Sequence, residues 1–429
     1  MTHLRHARIL SLAISGGLIG RMTWIPDRMI AAAWLIFLAT YAVVALGKIP
    51  VYRIDRAGAA LLGGSLMIAT GVLSLEEAYQ AVDFNTIVLL LGMMIVVANL
   101  RLSGFFRVIT HWIAGHVRRP LTLLGMVVFS SGVLSAFLVN DTICLVMTPL
   151  VLELVMRLKR NPIPYILAIA TASNIGSVAT ITGNPQNIII GSLSNIPYGD
   201  FATALVPVAV IGLIINYVFI TLSYRNEFLT RDQFGRIDIS ARYHGPLLAK
   251  SIVVLAIMVV LFFFGQSAAK VAIVGGAFLL LTRRVRPEKV YIEIDWPLLV
   301  MFVGLFVVIG GLEKAVITAD VSAAIARQHL DNPTILAGVT ALLSNIVSNV
   351  PAVLLLKSFV PNLQDPQRAW LIVAMAATLA GNFTLVGSVA NLIVAQRAKA
   401  RGVELNFWSY FKVGAPLTIL TITFGLLWL

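Results

Sequence analysis

Ser173-Asn174-Ile175-Gly176-Ser177-Val178-Ala179-Thr180-Ile181-Thr182-Gly183-Asn184-Pro185-Gln186-Asn187 interrupts the long apolar segment 163–196, and this interruption decides how the rest of the chain is read. The flanks are apolar enough for a bilayer, yet the centre carries amides, hydroxyls and helix-breaking glycines. Irregular backbone in hydrocarbon costs several kcal/mol per unsatisfied group unless it lines a protected, hydrated cavity. Three other segments share the pattern. Residues 121–158 are two apolar arms meeting at Val139-Asn140-Asp141-Thr142, and residues 333–360 are two arms meeting at Ser348-Asn349-Val350-Pro351. Segment 369–396 is broken at Gly381-Asn382-Phe383-Thr384-Leu385-Val386-Gly387-Ser388-Val389-Ala390-Asn391.

Composition agrees with a membrane setting. Of 429 residues, 59% are apolar or aromatic and 12% charged, against about 25% charged in an average soluble domain. A soluble globule and a disordered chain are both excluded. One cysteine, Cys144, excludes a disulfide framework or a multi-thiol ligand site and reads as packing. The formal charge of +13 is accounted for by basic loops on the cytoplasmic side, so no nucleic-acid partner is called for.

Simple spans, each near the roughly 20 residues a crossing needs, are expected at 9–26, 29–47, 54–73, 85–100, 203–223, 247–265, 268–282, 296–312 and 408–429. If 121–158 enters and leaves on one side, most basic loops fall on one face. Lys48/Arg53/Arg56, Arg101/Arg107/Arg118/Arg119, Arg157/Lys159/Arg160, Arg225/Arg231/Arg236/Arg242, Arg283/Arg284/Arg286/Lys289 and Arg397/Lys399/Arg401 then lie together. The positive-inside rule therefore predicts an all-α polytopic membrane protein with a cytoplasmic N-terminus and eleven transmembrane helices, including two broken ones, plus two re-entrant hairpins.

The two halves repeat at an offset of about 205–212 residues. Asp83-Phe84…Gly92 parallels Asp295-Trp296…Gly304, Asn140 parallels Asn349, and Thr180…Gly183…Asn187 parallels Thr384…Gly387…Asn391. An odd number of crossings separates the hairpins, so the repeats are expected to be inverted, the sequence sign of a secondary transporter with a site near the midplane. The expected units are N-terminal scaffold helices over 1–84, transport repeat 1 over 85–223, a cytoplasmic loop with scaffold helices over 224–295, and transport repeat 2 over 296–429.

The four breaks supply the candidate solute ligands: Asn140, Thr142, Asn174, Thr180, Gly183, Asn184, Asn187, Ser348, Asn349, Thr384, Ser388 and Asn391. Amides and hydroxyls donate and accept, so they suit a polyhydroxyl solute or oxyanion and can ligate a cation through oxygen. Pro185 can begin a half-helix whose free N–H groups favour negative charge or oxygen. Small residues also serve close helix packing, which accounts for Ser130, Ser131, Gly132 and Gly63-Gly64 but not for the polar run 183–187. No Arg or Lys lies in either broken-helix core. Asp141 is the carboxylate expected at membrane depth, a candidate for proton or ion coupling; an N-cap on the second hairpin arm is the structural alternative.

These strings resemble those of the ion transporter superfamily, most closely its arsenite permease (ArsB-like) branch and the plant silicic-acid efflux transporters, with dicarboxylate carriers of the INDY type more distant. The resemblance runs from about Ile54 to Leu429 and is strongest over 121–200. It implies inverted five-helix repeats, hairpins entering from opposite faces, a scaffold that dimerises, and an elevator-like transport domain. Val350-Pro351 departs from the Ser-Asn-Thr form of the dicarboxylate carriers, and Gly381–Asn391 lacks their paired prolines.

The function expected is proton-coupled efflux of arsenite, antimonite or a similar small hydroxylated inorganic solute across a bacterial inner membrane. Sodium-coupled transport of an anion, a carboxylate or sulfate, stays open as the alternative. The protein is not expected to be an enzyme or to carry a cofactor or bound metal, because its six histidines fall in loops or near helix ends. It contains no Gly-x4-Gly-Lys-Ser/Thr loop, so ATP drive would require a separate ATPase subunit.

Overall fold

The computed structural model describes residues 27–46, 48–49, 54–230, 232–234, 242–281, 285–316 and 330–429. Among the described residues the secondary structure is helical apart from a two-residue antiparallel pairing of Lys48–Ile49 with Ile54–Asp55. The expected first crossing, 9–26, lies outside the described residues, as do Arg53, Arg231, Arg236, Arg283 and Arg284. Seven described helices are long and apolar enough to cross a membrane, while Arg56–Ala69 and Ala268–Leu280 are shorter apolar helices. Length and composition therefore do not by themselves yield eleven crossings.

The breaks fall where the sequence places them. Hairpin 1 consists of Pro120–Phe137 and Asn140–Arg157, joined through extended backbone at Leu138. Hairpin 2 consists of Pro333–Val347 and Asn349–Leu356. Broken helix 1 is Pro162–Ser177, a 3-10 turn at Ile181–Gly183, then Pro185–Ser194. Broken helix 2 is Pro366–Ala380 followed by Val389–Lys399. Proline in the first turn, where a missing N–H costs nothing, begins five of these segments. Asn161, Asn184, Asn332, Asp365 and Ser388 cap helix starts by accepting from backbone N–H groups.

Hydrogen bonds fix the topology. The Phe234 N–H donates to the Arg118 carbonyl at 2.8 Å. Arg160 pairs with Glu227 at 2.8 Å and Asp232 at 2.9 Å. Both open ends of hairpin 1 are thus tied to one segment on one face. Bonds from Thr230 and then Arg160 hold the Asp232 carboxyl below its ordinary range. At the other hairpin, the Gln364 N–H donates to Asp331 at 2.8 Å, joining its two open ends.

The mouths face opposite ways. Helix Tyr198–Ser223 returns along Pro162–Ser177, with Thr171 donating to Asn216 at 3.0 Å, and finishes at the mouth of hairpin 1. Helix Phe407–Trp428 returns in the same manner along Pro366–Ala380, with Thr418 donating to the Leu379 carbonyl at 3.3 Å. The Trp428 indole N–H donates to the Ala204 carbonyl at 3.0 Å. The last helix therefore ends, on the face where hairpin 2 opens, beside the start of the helix that leads to the mouth of hairpin 1. The repeats are inverted.

Around this core the flanking helices exchange partners. Arg56–Ala69 packs on Trp296–Val316, and Ala268–Leu280 packs on Phe84–Ser103. Gly64 lies on Gly304 while its repeat counterpart Gly276 lies on Gly92. Such reciprocity is the mark of a two-fold relation, here within one chain. Leu35, Leu62, Val253, Val274 and Leu420 stay exposed along the outer helices, an apolar surface of the kind lipid covers.

Candidate functional site

Each broken helix is held open by its own asparagine. The Asn187 Nδ2 donates to the carbonyls of Ser177 and Thr180, at 3.0 Å each. Asn391 Nδ2 donates to those of Gly381 at 2.7 Å and Thr384 at 3.1 Å, the counterpart positions of repeat 2. These carbonyls belong to the unwound stretches; those of Thr180 and Thr384 also accept the Gly183 and Gly387 N–H groups, and that of Ser177 accepts from Asn184 Nδ2 at 3.2 Å. Asn184 accepts from the Asn187 N–H at 2.8 Å and donates to Ser177 and Thr378. Gly183 is a close approach: a Cβ there would stand 2.8 Å from the Ser177 carbonyl carbon and closer still to its oxygen.

The amide network then determines its own orientation. Asn391 and Asn382 each spend Nδ2 on backbone carbonyls, Asn382 on that of Thr171 at 3.2 Å, so their oxygens are acceptors. Asn174 Nδ2 donates to both of those oxygens, at 2.8 and 3.1 Å. Its own Oδ1 must therefore accept, and it does so from Asn140 Nδ2 at 3.0 Å and the Ser388 hydroxyl at 3.3 Å. This leaves Asn140 Oδ1 with no donor, although Asn140 is 3% exposed. Asn349, the counterpart tip residue, is 7% exposed and its Oδ1 also has no partner. Buried acceptors of this kind are rarely left unpaired in native proteins.

Both asparagines line a cavity of about 40 Å³, together with Asp141, Ser348, Ser388 and Pro185. That volume admits a few water-sized groups. Four helices, starting at Asn140, Pro185, Asn349 and Val389, direct their N-termini at it. Their N–H ends carry partial positive charge. Arg56, at the start of Arg56–Ala69, also lines the cavity. Asp141 lies within electrostatic reach of Arg56 and Asp295. The second arm of hairpin 1 has no side-chain cap, so the Asp141 carboxylate is not spent on capping. Ser348 turns the second tip with φ 80° and ψ 159°, a conformation close to glycine-only and costing about 1–3 kcal/mol.

The residues singled out in the sequence divide into two shells. Asn140, Asp141, Ser348, Asn349 and Ser388 face the cavity, and Thr142 lines an adjoining chamber. Asn174, Asn184, Asn187 and Asn391 are wholly buried behind it, in the network just described. Thr180 donates to the Ala136 carbonyl, tying broken helix 1 to hairpin 1, and Thr384 donates to Asn345 at 3.4 Å in repeat 2. Sequence reading missed Arg56, which stands among loop cations and enters the site from a scaffold helix. Lys357 pairs with Glu313 at 3.2 Å, away from the cavity, and Cys144 is buried packing.

Inverted hairpin repeats whose broken helices meet at a polar cavity define a secondary membrane transporter. The chain belongs to the citrate transporter (CitMHS) family, which matches residues 38–372, within the superfamily its motifs resemble. It is 28% identical to a 46 kDa membrane protein of Mycobacterium leprae (strain TN), over 94% of this chain and 99% of that one. A silicon efflux transporter of Oryza sativa subsp. japonica is 29% identical, over 88% of this chain and 93% of the relative. The YdaH transporter of Alcanivorax borkumensis shares the fold with a TM-score of 0.59 at 13% identity, over 94% of this chain and 96% of that one. The family, the rice relative and the YdaH protein are transporters, not enzymes.

Proposed function

We propose that the protein exports a small hydroxylated inorganic solute, arsenite or antimonite, from the cytoplasm in exchange for protons. One observation carries this reading: the unpaired, buried oxygens of Asn140 and Asn349 beside the same small cavity. Such acceptors call for a ligand that donates hydrogen bonds. Trivalent arsenic at neutral pH is mainly a neutral tri-hydroxyl molecule, which donates to the two amides and accepts from the helix N-termini and Arg56. Silicic acid has the same chemistry, and the rice relative is named a silicon efflux transporter.

In the proposed cycle Asp141 is protonated from outside, the solute binds from the cytoplasm between the hairpin tips, and the hairpins with their broken helices move against the scaffold. The basic face is assigned to the cytoplasm of an inner membrane, and the scaffold to a homodimer contact. A second reading, sodium-coupled transport of a carboxylate or sulfate, is favoured by Arg56 and the converging helix N-termini and by the family's description as citrate transporters. Proteoliposome flux of arsenite, antimonite, silicic acid, citrate and sulfate, with and without sodium and a pH gradient, separates the two. Arsenite or antimonite moving with the pH gradient and without sodium is the expected result. Sodium-dependent flux confined to citrate or sulfate overturns the first reading.

A further inference from the structure

The central cavity is one of three spaces that share wall residues in series. A vestibule of about 920 Å³ is lined by Arg107, Arg242, His244, Arg397 and Arg401. A chamber of about 90 Å³, lined by Asp141, Thr142 and Asp295, adjoins it through shared wall residues. Asp141 and Leu298 border both this chamber and the cavity between the hairpin tips. Three residues border both vestibule and chamber: Arg101, Glu293 and Leu145. Arg101 and Glu293 form an ion pair. Arg101 comes from the last turn of Phe84–Ser103, Glu293 immediately follows Pro287–Ile292, and Leu145 comes from the second arm of hairpin 1. The partition thus draws on helices of two separate segments and on the hairpin.

We propose that the Arg101–Glu293 ion pair, backed by Leu145, is the gate between the basic vestibule and the Asp141 chamber. The side chains of the pair are 37% and 22% exposed. Partly hydrated pairs of long side chains are held weakly, which suits a contact that must part and re-form. The vestibule's arginine excess concentrates anions and oxygen-rich solutes at the gate. Parting the pair opens the chamber, where Asp141 and Thr142 are the first groups met. The gate works for any solute of suitable size, so it stands or falls apart from the arsenite reading.

The test uses the full chain in lipid nanodiscs, with Thr142→Cys in a Cys144→Ser background and silver ion as a probe small enough for the chamber. The rate at which silver blocks later maleimide labelling of the thiol at position 142 is measured. Arg101→Gln and Glu293→Gln should each raise that rate at least tenfold. The exchanged pair R101E/E293R should return it to within threefold of the parent. The native thiol of Cys144, buried among packed side chains, should stay unreactive in the same gate variants with Thr142 intact. Unchanged rates in both single variants overturn the proposal, as does Cys144 reacting as fast as position 142, which marks general loosening rather than a gate.

Discussion

Asn187 and Asn391 occupy counterpart positions of the two inverted repeats and make the same bonds, each donating Nδ2 to two main-chain carbonyls of its own helix break. The unwound stretches are therefore fixed structures whose polar groups are satisfied from within. Replacing either residue by alanine removes two such hydrogen bonds, at about 0.5–1.5 kcal/mol each. Asn187→Ala and Asn391→Ala should lower the melting temperature by similar amounts, read by thermal unfolding in detergent. A loss at one site only would mean that the repeats do not share this device.

The scaffold seam gives a second symmetric test. A Cβ at Gly92 would stand 2.6 Å from the Ala272 carbonyl oxygen, and one at Gly304 would stand 2.7 Å from the Leu61 nitrogen. Backbone cannot step aside as a flexible side chain can, so Gly92→Ala and Gly304→Ala should each cost about 1–3 kcal/mol. Gly338, with nothing within 4 Å of its Cβ position, is the control. Alanine there should stabilise by up to about 1 kcal/mol through helix propensity. Melting curves of the three variants check the contrast.

Much of this was legible in the sequence, for a physical reason. Pro185 starts a helix inside an apolar segment, and a chain that restarts a helix there must have broken first. The polar tips Asn140-Asp141-Thr142 and Ser348-Asn349, at matched positions of the two halves, marked the hairpins and their repetition. What each amide does was not legible, because Asn140 and Asn187 have identical chemistry. Only the placement of backbone carbonyls separates the one left with a free acceptor from the one consumed in holding the loop. Arg56 was hidden for another reason: a cation beside a short apolar helix reads as a loop charge, and its place in the cavity depends on contacts between scaffold and hairpins.

The tip of hairpin 2 stores strain at Ser348, whose φ of 80° disfavours any side chain. Ser348→Gly relieves that strain at a smaller cost in chain entropy. The variant should gain about 1 kcal/mol, seen as a raised melting temperature, whereas Asn140→Gly at the ordinary helical start of hairpin 1 should lose stability. An unchanged or lowered melting temperature for Ser348→Gly would show that the serine hydroxyl holds the turn.

Asp141 couples ion to solute in the proposed cycle, and its uncapped position in the cavity wall supports that role. Asp141→Asn preserves size and hydrogen bonding while removing the exchangeable charge. Efflux driven by a pH gradient should fall at least a hundredfold in proteoliposomes. Solute-for-solute exchange without a gradient should persist within about threefold. If gradient-driven efflux continues undiminished, Asp141 is not the coupling group.

Arg56 discriminates between the two substrate readings. A guanidinium in a confined cavity stabilises a charged oxyanion far more than a neutral hydroxyl solute, because hydrogen bonds to charged partners contribute about 1.5–3 kcal/mol against about 1 for neutral ones. Arg56→Gln keeps a donor but removes the charge. If the solute is neutral arsenite or silicic acid, its apparent affinity should fall by less than about fivefold, with pH-gradient coupling intact. Were the solute a carboxylate or sulfate, the same variant should weaken it by tenfold or more, a loss that added salt would not restore. The ratio of the two losses, measured on one preparation, decides which chemistry the four helix N-termini and the two free amide oxygens serve.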